Sequence, residues 1–231
     1  MNISNHIIKV IIPAYNEEHA IGKVIEEIPD YVHEIVVANN GSTDNTFLVA
    51  SNAGAMVREA PKMGYGNACL TAMDYIEKNE PKPTIVVFID GDYSDYPQEM
   101  DLLIQPIISN QADLVIGSRA LGNREKGSMT LPQIFGNWLA TTLLKGFYKV
   151  KFTDLGPFRA ISYESLVKLG MKDRNYGWTV EMQLKAAKMK MRCTEVSVNY
   201  RNRIGKSKVS GTIKGTVMAG YKILFTIFRH L

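Results

Sequence analysis

The sequence has few of the features that mark secreted, metal-cluster or nucleic-acid-binding proteins. Among its 231 residues there are two cysteines, Cys69 and Cys193, and they belong to no Cys-x-x-Cys pair or Cys/His cluster. We therefore expect two buried thiols in a reducing compartment rather than a disulfide or a zinc site. The formal net charge of +4 is too small to indicate a nucleic-acid partner by itself.

Long hydrophobic runs are also absent. No charge-free apolar run approaches the roughly 20 residues that a membrane-spanning helix needs. Residues 1–6 lack the basic and apolar regions of a signal peptide. The composition, 45% hydrophobic and 22% charged, is that of an ordinary globular protein with one sizeable core. We expect a cytoplasmic protein that is soluble or bound peripherally to a membrane.

The first half of the chain alternates between short β-branched runs and helical patterns. Strands are predicted over 7–12, 34–38, 55–58, 84–89 and 113–117. Helices are predicted over 17–28, from an N-cap at Ser42 or Thr43 to 52, over 67–78 and over 97–108. Continuous apolar strands separated by helices are typical of an α/β fold, in which a mainly parallel sheet has helices on both faces.

The second half is less regular. A polar loop is predicted over 122–131, helices over 133–148 and 177–191, and a strand over 192–200. No repeat, low-complexity stretch or linker interrupts this half. We therefore predict one domain over residues 1–209, followed by a C-terminal amphipathic helical appendage over residues 210–231.

Two carboxylates, Asp90 and Asp92, directly follow the most apolar predicted strand and flank Gly91. In parallel α/β sheets, ligands bind beyond the carboxyl ends of the strands. Mg²⁺ and Mn²⁺ take one or two carboxylates together with substrate phosphates, and such an ion offsets charge on a departing diphosphate. We expect Asp95 to support this metal from behind, and Glu99 to stabilise the first turn of the next helix.

Three motifs follow one another along the chain, Ile11–Glu17, Asn39–Asp44 and Asp90–Asp92. Together they resemble the motifs of family 2 glycosyltransferases, which have a GT-A fold with a Rossmann-like sheet. Three later motifs resemble the dolichyl-phosphate mannose synthase group of that family: Asp154–Arg159, Gly177–Met182 and Arg203–Lys208. The resemblance covers nearly the whole chain. It implies a metal-dependent, inverting transfer of a sugar from a UDP- or GDP-sugar to a polyprenyl phosphate, such as dolichyl or undecaprenyl phosphate, at the cytoplasmic membrane face.

The resemblance also implies roles for individual residues on the donor side. Asp90 and Asp92 would hold Mg²⁺ or Mn²⁺. The nucleotide and its diphosphate would contact residues from both halves of the chain: Pro13, Ala14, Tyr15, Glu17, Asn39, Asn40, Lys62, Asp90, Gly91, Arg203 and Lys208. The family usually has Asp-Asp or Asp-Asn where this chain has Asn39 and Asn40. An asparagine side chain is both a donor and an acceptor, so the choice between UDP and GDP stays open.

On the acceptor side, Arg119 matches a family arginine that holds the acceptor phosphate. A second family arginine is expected about where this chain has Gln133. Further phosphate-binding candidates are Arg159, Arg201, Arg203, Lys206 and Lys208, although for Arg201 we favour an ordinary solvated surface. The candidates for a catalytic general base are Asp154 and Glu181. A phosphate acceptor is already anionic at neutral pH and needs little deprotonation.

The C-terminal segment carries an apolar stripe at helical spacing: Ile213, Val217, Met218, Tyr221, Leu224, Phe225 and Phe228. Such a stripe suits a core helix, a homodimer seam or a membrane surface. A lipid acceptor would favour peripheral membrane contact. Two other functions also remain open. One is a family 2 transferase with a soluble or glycan acceptor, and the other is a non-catalytic protein that binds a nucleotide sugar or a lipid phosphate.

Overall fold

The computed structural model describes residues 3–205, 207 and 213–229. Its strands are β1 (Ile8–Ala14), β2 (Glu34–Asn39), β3 (Met56–Glu59), β4 (Ile85–Phe88), β5 (Leu114–Ser118), β6 (Arg159–Ser162) and β7 (Cys193–Ser197). Its α-helices are α1 (Ile21–Glu26), α2 (Thr46–Asn52), α3 (Tyr65–Lys78), α4 (Met100–Ile108), α5 (Leu131–Tyr148), α6 (Tyr163–Leu169), α7 (Trp178–Lys188) and α8 (Ile213–Arg229).

The seven strands form one sheet in the order β3-β2-β1-β4-β6-β5-β7. Every neighbouring pair is parallel except the two that involve β6, which runs antiparallel to both β4 and β5. The predicted mainly parallel sheet is therefore confirmed. The strand β6 was not predicted, because it has only four residues, begins with Arg159 and has no apolar run of its own.

The core lies on both faces of this sheet. All seven residues of β1 are buried, as expected for a central strand with helices on either side. Successive side chains point to opposite faces. Ile11 packs in one cluster with Ile76 of α3 and Trp178 of α7, whereas Ile12 packs in the other with Leu103 of α4. The two-sided covering explains why the strands have continuous apolar sequences.

Several predicted boundaries differ from the structure. The helices predicted over 17–28 and 177–191 and the strand predicted over 192–200 are each shorter than expected. The N-cap prediction was wrong, because α2 begins at Thr46 and the Asp44 carboxylate accepts from the Thr46 N–H (3.0 Å). Ser42 instead accepts from the N–H of Asn16 (2.9 Å), and this bond joins the loops that follow β1 and β2.

The amphipathic helix predicted within residues 210–231 is confirmed over Ile213–Arg229; residues 210–212, 230 and 231 and the side chain of Ile213 lie outside the described part of the chain. The helix α8 packs against α5 and α7. Ile227 is fully buried, and its carbonyl accepts from the Tyr148 hydroxyl (3.3 Å). Within the described ranges, no helix is both long and apolar enough to cross a bilayer.

Both cysteines are free thiols. Cys69 is fully buried in α3, and Cys193 is half-buried in β7. Burial raises the pKa of both thiols, the Cys193 thiol to about 12, so neither is a reactive thiolate at neutral pH. The expectation of a buried thiol thus holds for Cys69, whereas Cys193 is only partly buried.

Candidate active site

A cavity of about 550 Å³ opens at the carboxyl ends of β1 and β4. β1 lies between β2 and β4, so the loops that follow these three strands meet at one edge of the sheet. The far side of the cavity is lined by α5 and α8. Among the predicted site residues, the following line it: Pro13, Ala14, Tyr15, Glu17, Asn40, Asp90, Gly91, Asp92, Arg119, Gln133 and Arg203. Six others, Asn39, Lys62, Asp154, Arg159, Glu181 and Arg201, do not line it, and Lys206 and Lys208 lie outside the described residues.

Asp90 follows β4 directly and faces the cavity. One of its carboxylate oxygens accepts a hydrogen bond from the Tyr65 hydroxyl at 3.0 Å. Tyr65 is the first residue of α3. Loss of solvent and, next, the negative charge of Asp92 raise the pKa of Asp90 to about 7. A cation that entered the cavity would find a carboxylate that gives up its proton near neutral pH.

Asp92 is almost fully buried, and both of its oxygens have partners. One oxygen accepts from the Ser94 N–H at 2.9 Å and from the Ser94 hydroxyl at 2.5 Å. The other lies 2.8 Å from a terminal guanidinium nitrogen of Arg203. The same guanidinium lies 3.3 Å from a carboxylate oxygen of Glu17, in the loop after β1. Arg203 therefore bridges two acidic residues at the cavity floor.

The chemistry of Asp90 and Asp92 fits a divalent ion that is bound jointly with a substrate. Both present hard oxygen donors to a cavity large enough for a diphosphate. In the part of the chain that the structure describes, no group of three or more His, Cys, Asp or Glu side chains could hold a metal ion by itself. Mg²⁺ and Mn²⁺ commonly take one or two carboxylates and complete their shell with phosphate oxygens and water. These two carboxylates suit that partial shell.

Asp95 lies close behind this acidic pair in sequence but does not line the cavity. It is 1% exposed, and neither of its carboxylate oxygens has a hydrogen-bond partner among the described residues. Burial, followed by the charge of Asp90, raises its pKa well above the ordinary value. Its role in supporting a metal stays a prediction. Glu99 is the N-cap residue of α4 and makes no side-chain capping bond; its carboxylate accepts from the N–H of Asn199 (2.8 Å). Its role in stabilising the helix also stays a prediction.

Arg119 and Asp154 form a buried, two-pronged ion pair. The Nε of Arg119 lies 2.8 Å from one Asp154 oxygen, and a terminal nitrogen lies 2.7 Å from the other. The Arg119 N–H also donates to Asp154 (2.8 Å). Burial by itself would lower the pKa of Arg119, but Asp154 outweighs this and raises it. The guanidinium stands 5.0 Å from the Tyr200 ring centre and faces the cavity, while Asp154 lies behind it. This geometry favours an orienting role for Asp154 over the predicted general base.

Glu181 also makes contacts that suit a structural role. Its carboxylate accepts from the N–H groups of Lys172 (3.1 Å) and Asp173 (2.7 Å) and pairs with Lys185 at 2.8 Å. The loop that it holds packs against the first turn of α3, where a Cβ at Gly66 would lie 2.1 Å from the Asp173 carbonyl oxygen. The close backbone approach at this turn is therefore made to the loop around Asp173.

Arg159, a candidate for the acceptor phosphate, is 1% exposed and does not line the cavity. Its guanidinium donates to three main-chain carbonyls, those of Leu155 (3.0 Å), Gly156 (3.0 Å) and Thr179 (3.0 Å). These bonds fix the loop that carries Asp154. Burial lowers the pKa of Arg159 to about 10, and the side chain remains a cation at neutral pH.

Two asparagines, Asn39 at the end of β2 and Asn40 directly after it, connect β2 to neighbouring elements. The Asn40 amide donates to the Lys62 carbonyl (2.9 Å) and accepts from the N–H of Gly64 (2.8 Å). The Asn39 amide donates to Glu59 (2.8 Å) and is buried. Lys62 itself is exposed. Asn40 thus lines the cavity while holding the turn that leads into α3.

The expectation that Arg201 belongs to a solvated surface was wrong. Its side chain is 13% exposed and pairs with Glu27 at 2.8 Å. Its guanidinium carbon lies 3.3 Å from the Tyr93 ring centre and 4.3 Å from that of Tyr96. The available signal was the pair of tyrosines placed three residues apart just after Asp92.

An open, mostly parallel sheet with an acidic pair at the end of a central strand, facing a cavity, is the GT-A arrangement of nucleotide-sugar transferases. The chain belongs to glycosyl transferase family 2, whose family model matches residues 9–170. An uncharacterized glycosyltransferase of Mycobacterium tuberculosis is 33% identical over 215 residues, which cover 92% of this chain and 94% of the relative. The family and the fold expected from the motifs are confirmed.

Two further similarities concern proteins with named substrates. The UDP-N-acetylglucosamine–dolichyl-phosphate N-acetylglucosaminyltransferase of Methanococcus voltae is 28% identical over 251 residues, covering 97% of this chain and 96% of the relative. Glucosyl-3-phosphoglycerate synthase of Mycobacterium tuberculosis, solved with Mn²⁺, UDP-glucose and phosphoglyceric acid, superposes with a TM-score of 0.76 at 22% identity. That match covers 98% of this chain and 80% of the synthase, and it supports the fold.

Proposed function

We propose that this protein is a metal-dependent, inverting glycosyltransferase that moves a sugar from a UDP- or GDP-sugar to a polyprenyl phosphate. The observation that carries the proposal is the position of Arg119. Its guanidinium is held by two hydrogen bonds to Asp154 and lines the same cavity as Asp90, Asp92 and two helices that have exposed apolar residues. A fixed arginine suits recognition of a phosphate, and the apolar helices suit the attached lipid.

On the donor side, Asp90 and Asp92 would hold Mg²⁺ or Mn²⁺. When bound, such an ion offsets the charge on the departing nucleoside diphosphate. Arg203 already pairs with Asp92, so its guanidinium is within reach of an anion bound beside that carboxylate. Tyr15 lines the same cavity and offers a ring face for the base. The presence of Mn²⁺ and UDP-glucose in the solved glucosyl-3-phosphoglycerate synthase supports this assignment.

On the acceptor side, arginine side chains line the cavity, but few of its carboxylates are available to act as a general base. Among the described residues that line it, the carboxylates are Glu17, Asp90 and Asp92. Glu17 pairs with Arg203, and the other two are assigned to the metal. A phosphate oxygen is anionic at neutral pH and attacks without a general base. Attack from the side of Arg119, opposite the leaving diphosphate, would invert the anomeric configuration.

The lipid tail would lie along the exposed apolar residues of α5 and α8, which we call the α5/α8 face: Leu131, Phe135, Trp138, Val217, Tyr221 and Phe228. The two helices pack together, and both also line the cavity. A pair of amphipathic helices at the mouth of a site can lie in the membrane interface and accept a lipid headgroup from it. The protein would then act as a peripheral protein on the cytoplasmic face of a membrane.

The relative from Methanococcus voltae supports the lipid acceptor, since its name states transfer of N-acetylglucosamine to dolichyl phosphate and its match spans nearly all of both chains. The proposed resemblance to the dolichyl-phosphate mannose synthase group rests on the motifs around Asp154, Trp178 and Arg203. The contacts seen for Arg119 and Asp154 are consistent with a charged acceptor in either case.

An acceptor panel tests the proposal. Wild-type protein is given radiolabelled UDP- and GDP-sugars with Mn²⁺ and one of three acceptors: a polyprenyl phosphate in vesicles, the matching polyprenol without phosphate, or phosphoglyceric acid. We expect label in the polyprenyl phosphate alone. We expect Arg119→Lys, which keeps the charge but not the two-pronged geometry, to raise the acceptor KM by roughly tenfold to a hundredfold. Label in phosphoglyceric acid alone would replace the lipid acceptor with a soluble one.

A further inference from the structure

The segment that leads to Arg203 is fastened to the loop that carries Asp92. The Arg201 N–H donates to the Ser94 carbonyl at 2.9 Å, and the Ile204 N–H donates to the Asp92 carbonyl at 3.0 Å. Residues 201–204 therefore follow the acidic loop along its length. These main-chain bonds set the general path of the segment close to the cavity floor.

The Arg201 side chain adds a second and more specific attachment. Its guanidinium lies between the rings of Tyr93 and Tyr96, with centroid distances of 3.3 Å and 4.3 Å. Its Nε donates to the Tyr93 carbonyl at 2.7 Å, and a terminal nitrogen reaches the Asp95 carbonyl at 3.2 Å. A planar guanidinium can stack and donate at once, and a lysine cannot reproduce both.

Glu27 completes the cluster from a third element. It is the C-cap residue of α1, and its carboxylate pairs with Arg201 at 2.8 Å and accepts from the Tyr93 hydroxyl. The Arg201 cluster, defined as Glu27, Tyr93, Tyr96 and Arg201, thus joins the end of α1, the acidic loop and the late segment. Tyr93 has a left-handed backbone (φ 66°), which few non-glycine residues adopt without support from their surroundings.

We propose that Arg201 is a positioning residue for donor binding: its stack and its bonds hold the segment so that Arg203, two residues later, presents its guanidinium beside Asp92 and Glu17. Arg201 itself does not line the cavity, whereas Arg203 does. Displacement of a binding group by about 1 Å is enough to weaken an oriented contact severely. The inference rests on the proposed function, in which Arg203 contacts the donor diphosphate.

A double-mutant cycle on nucleotide binding tests this inference. The dissociation constants of UDP and of GDP, each with Mn²⁺, are measured by calorimetry for wild type, Arg201→Gln, Arg203→Ala and the double variant. We expect Arg201→Gln to weaken binding of the preferred nucleotide roughly tenfold and Arg203→Ala to weaken it roughly tenfold to a hundredfold. The double variant should bind no more weakly than Arg203→Ala. Arg201→Lys should restore little of the affinity, because the stacking is lost.

Arg192→Ala is the matched control, since Arg192 forms an ion pair with Asp113 (2.6 Å) and does not line the cavity. It should leave nucleotide affinity unchanged. Should Arg201→Gln not fold, Tyr96→Leu removes one stacking face while leaving Arg201 in place, and the same cycle with Arg203→Ala applies. Full additivity of the two losses, or unchanged affinity in the Arg201 cluster variants, overturns the inference. Failure of wild type to bind either nucleotide overturns the proposed donor site as well.

Discussion

The guanidinium of Arg203 lies 2.8 Å from a carboxylate oxygen of Asp92. The same carboxylate is proposed to hold the metal ion, and the same guanidinium is proposed to contact the donor diphosphate. A metal ion bound to this oxygen of Asp92 would have to share it with the Arg203 guanidinium. The contact therefore links metal binding to nucleotide binding. Its removal should change the affinities for the two ligands in opposite directions.

Arg203→Ala should separate these two effects. Removal of the competing cation should strengthen binding of Mn²⁺ alone, whereas loss of a charged hydrogen bond should weaken UDP or GDP in the presence of Mn²⁺. A charged bond contributes about 1.5–3 kcal/mol, so the nucleotide affinity should fall roughly tenfold to a hundredfold. Both affinities can be measured by calorimetry, with the exposed Arg58→Ala as control. A shift of both affinities in the same direction would count against a competitive role.

The pH dependence of metal binding follows from Asp90. Loss of solvent, then Asp92, raises the pKa of Asp90 to about 7, so the proton must leave before a divalent ion can bind there. Mn²⁺ affinity should rise about tenfold per pH unit below about pH 7 and level off above it. Titrations from about pH 5.5 to about pH 8.5 on wild type and Asp90→Asn check this. An equally steep profile in Asp90→Asn would contradict the assignment.

The same pKa predicts the sign of a stability effect in the metal-free protein. Between about pH 4 and about pH 7 the unfolded chain has lost the Asp90 proton while the folded chain keeps it. The folded state binds more protons in this pH window. The stabilising contribution of Asp90 is therefore lost as the pH rises from about 4 to about 7, and the free energy of unfolding falls. Asp90→Asn should remove this part of the pH dependence in denaturant titrations.

The α5/α8 face should bind membranes. Phe135 and Trp138 are more than half exposed, and their rings lie 5.7 Å apart. Burial of a large apolar side chain contributes about 1.5–3 kcal/mol, so the double substitution Phe135→Ser/Trp138→Ser should reduce vesicle binding by at least roughly tenfold. The control is Leu102→Ser/Val167→Ser, which removes exposed apolar side chains from α4 and α6. A flotation assay with vesicles that contain anionic lipid reports both. An equal loss of vesicle binding in the two double variants would mean that the α5/α8 face is not a specific membrane-binding surface.

Gly66, in the first turn of α3, should tolerate no side chain. A Cβ at Gly66 would lie 2.1 Å from the Asp173 carbonyl oxygen, which belongs to backbone that Glu181 holds in place. Gly66→Ala should therefore lower the melting temperature. Gly146 is the matched control, because it lies within α5 and an added Cβ would meet nothing within 4 Å. Gly146→Ala should raise the free energy of unfolding by about 0.5–1 kcal/mol. The two variants can be compared by thermal denaturation. Equal shifts in their melting temperatures would contradict the close packing of Gly66 against Asp173.

Much of the fold could be predicted because its central strands are mostly apolar. The runs before Pro13 and before Asp90 identify β1 and β4, and parallel pairing then places the loops after them at one edge. Most of the donor-side residues named from the motifs do line the cavity for this reason. The strand β6 could not be recognised, because it depends on pairing with β4 and β5 on either side rather than on its own composition.

The contacts of the charged residues could not be predicted from the local sequence pattern either. Arg119 and Asp154 are 35 residues apart, and the motifs predict a separate role for each, whereas the structure pairs them. Arg201 meets Tyr93 from 108 residues away, and nothing near Arg201 in sequence indicates a stack. Such contacts arise from the order of strands in the sheet, which fixes loops that are distant in sequence at one edge. A single sequence shows the charges but not their partners.

The most direct test of the proposed function is transfer of radiolabelled sugar from UDP- and GDP-sugars into polyprenyl phosphate, with and without Mn²⁺, by wild type and Asp92→Asn. We predict a mild-acid-labile lipid product that needs Mn²⁺ and one of the two donors. Loss of the metal's charge stabilisation should reduce the rate in Asp92→Asn by about 100-fold or more. Metal-dependent hydrolysis of the donor without any lipid product would contradict the lipid acceptor, and donor binding without turnover would contradict the proposed catalysis altogether.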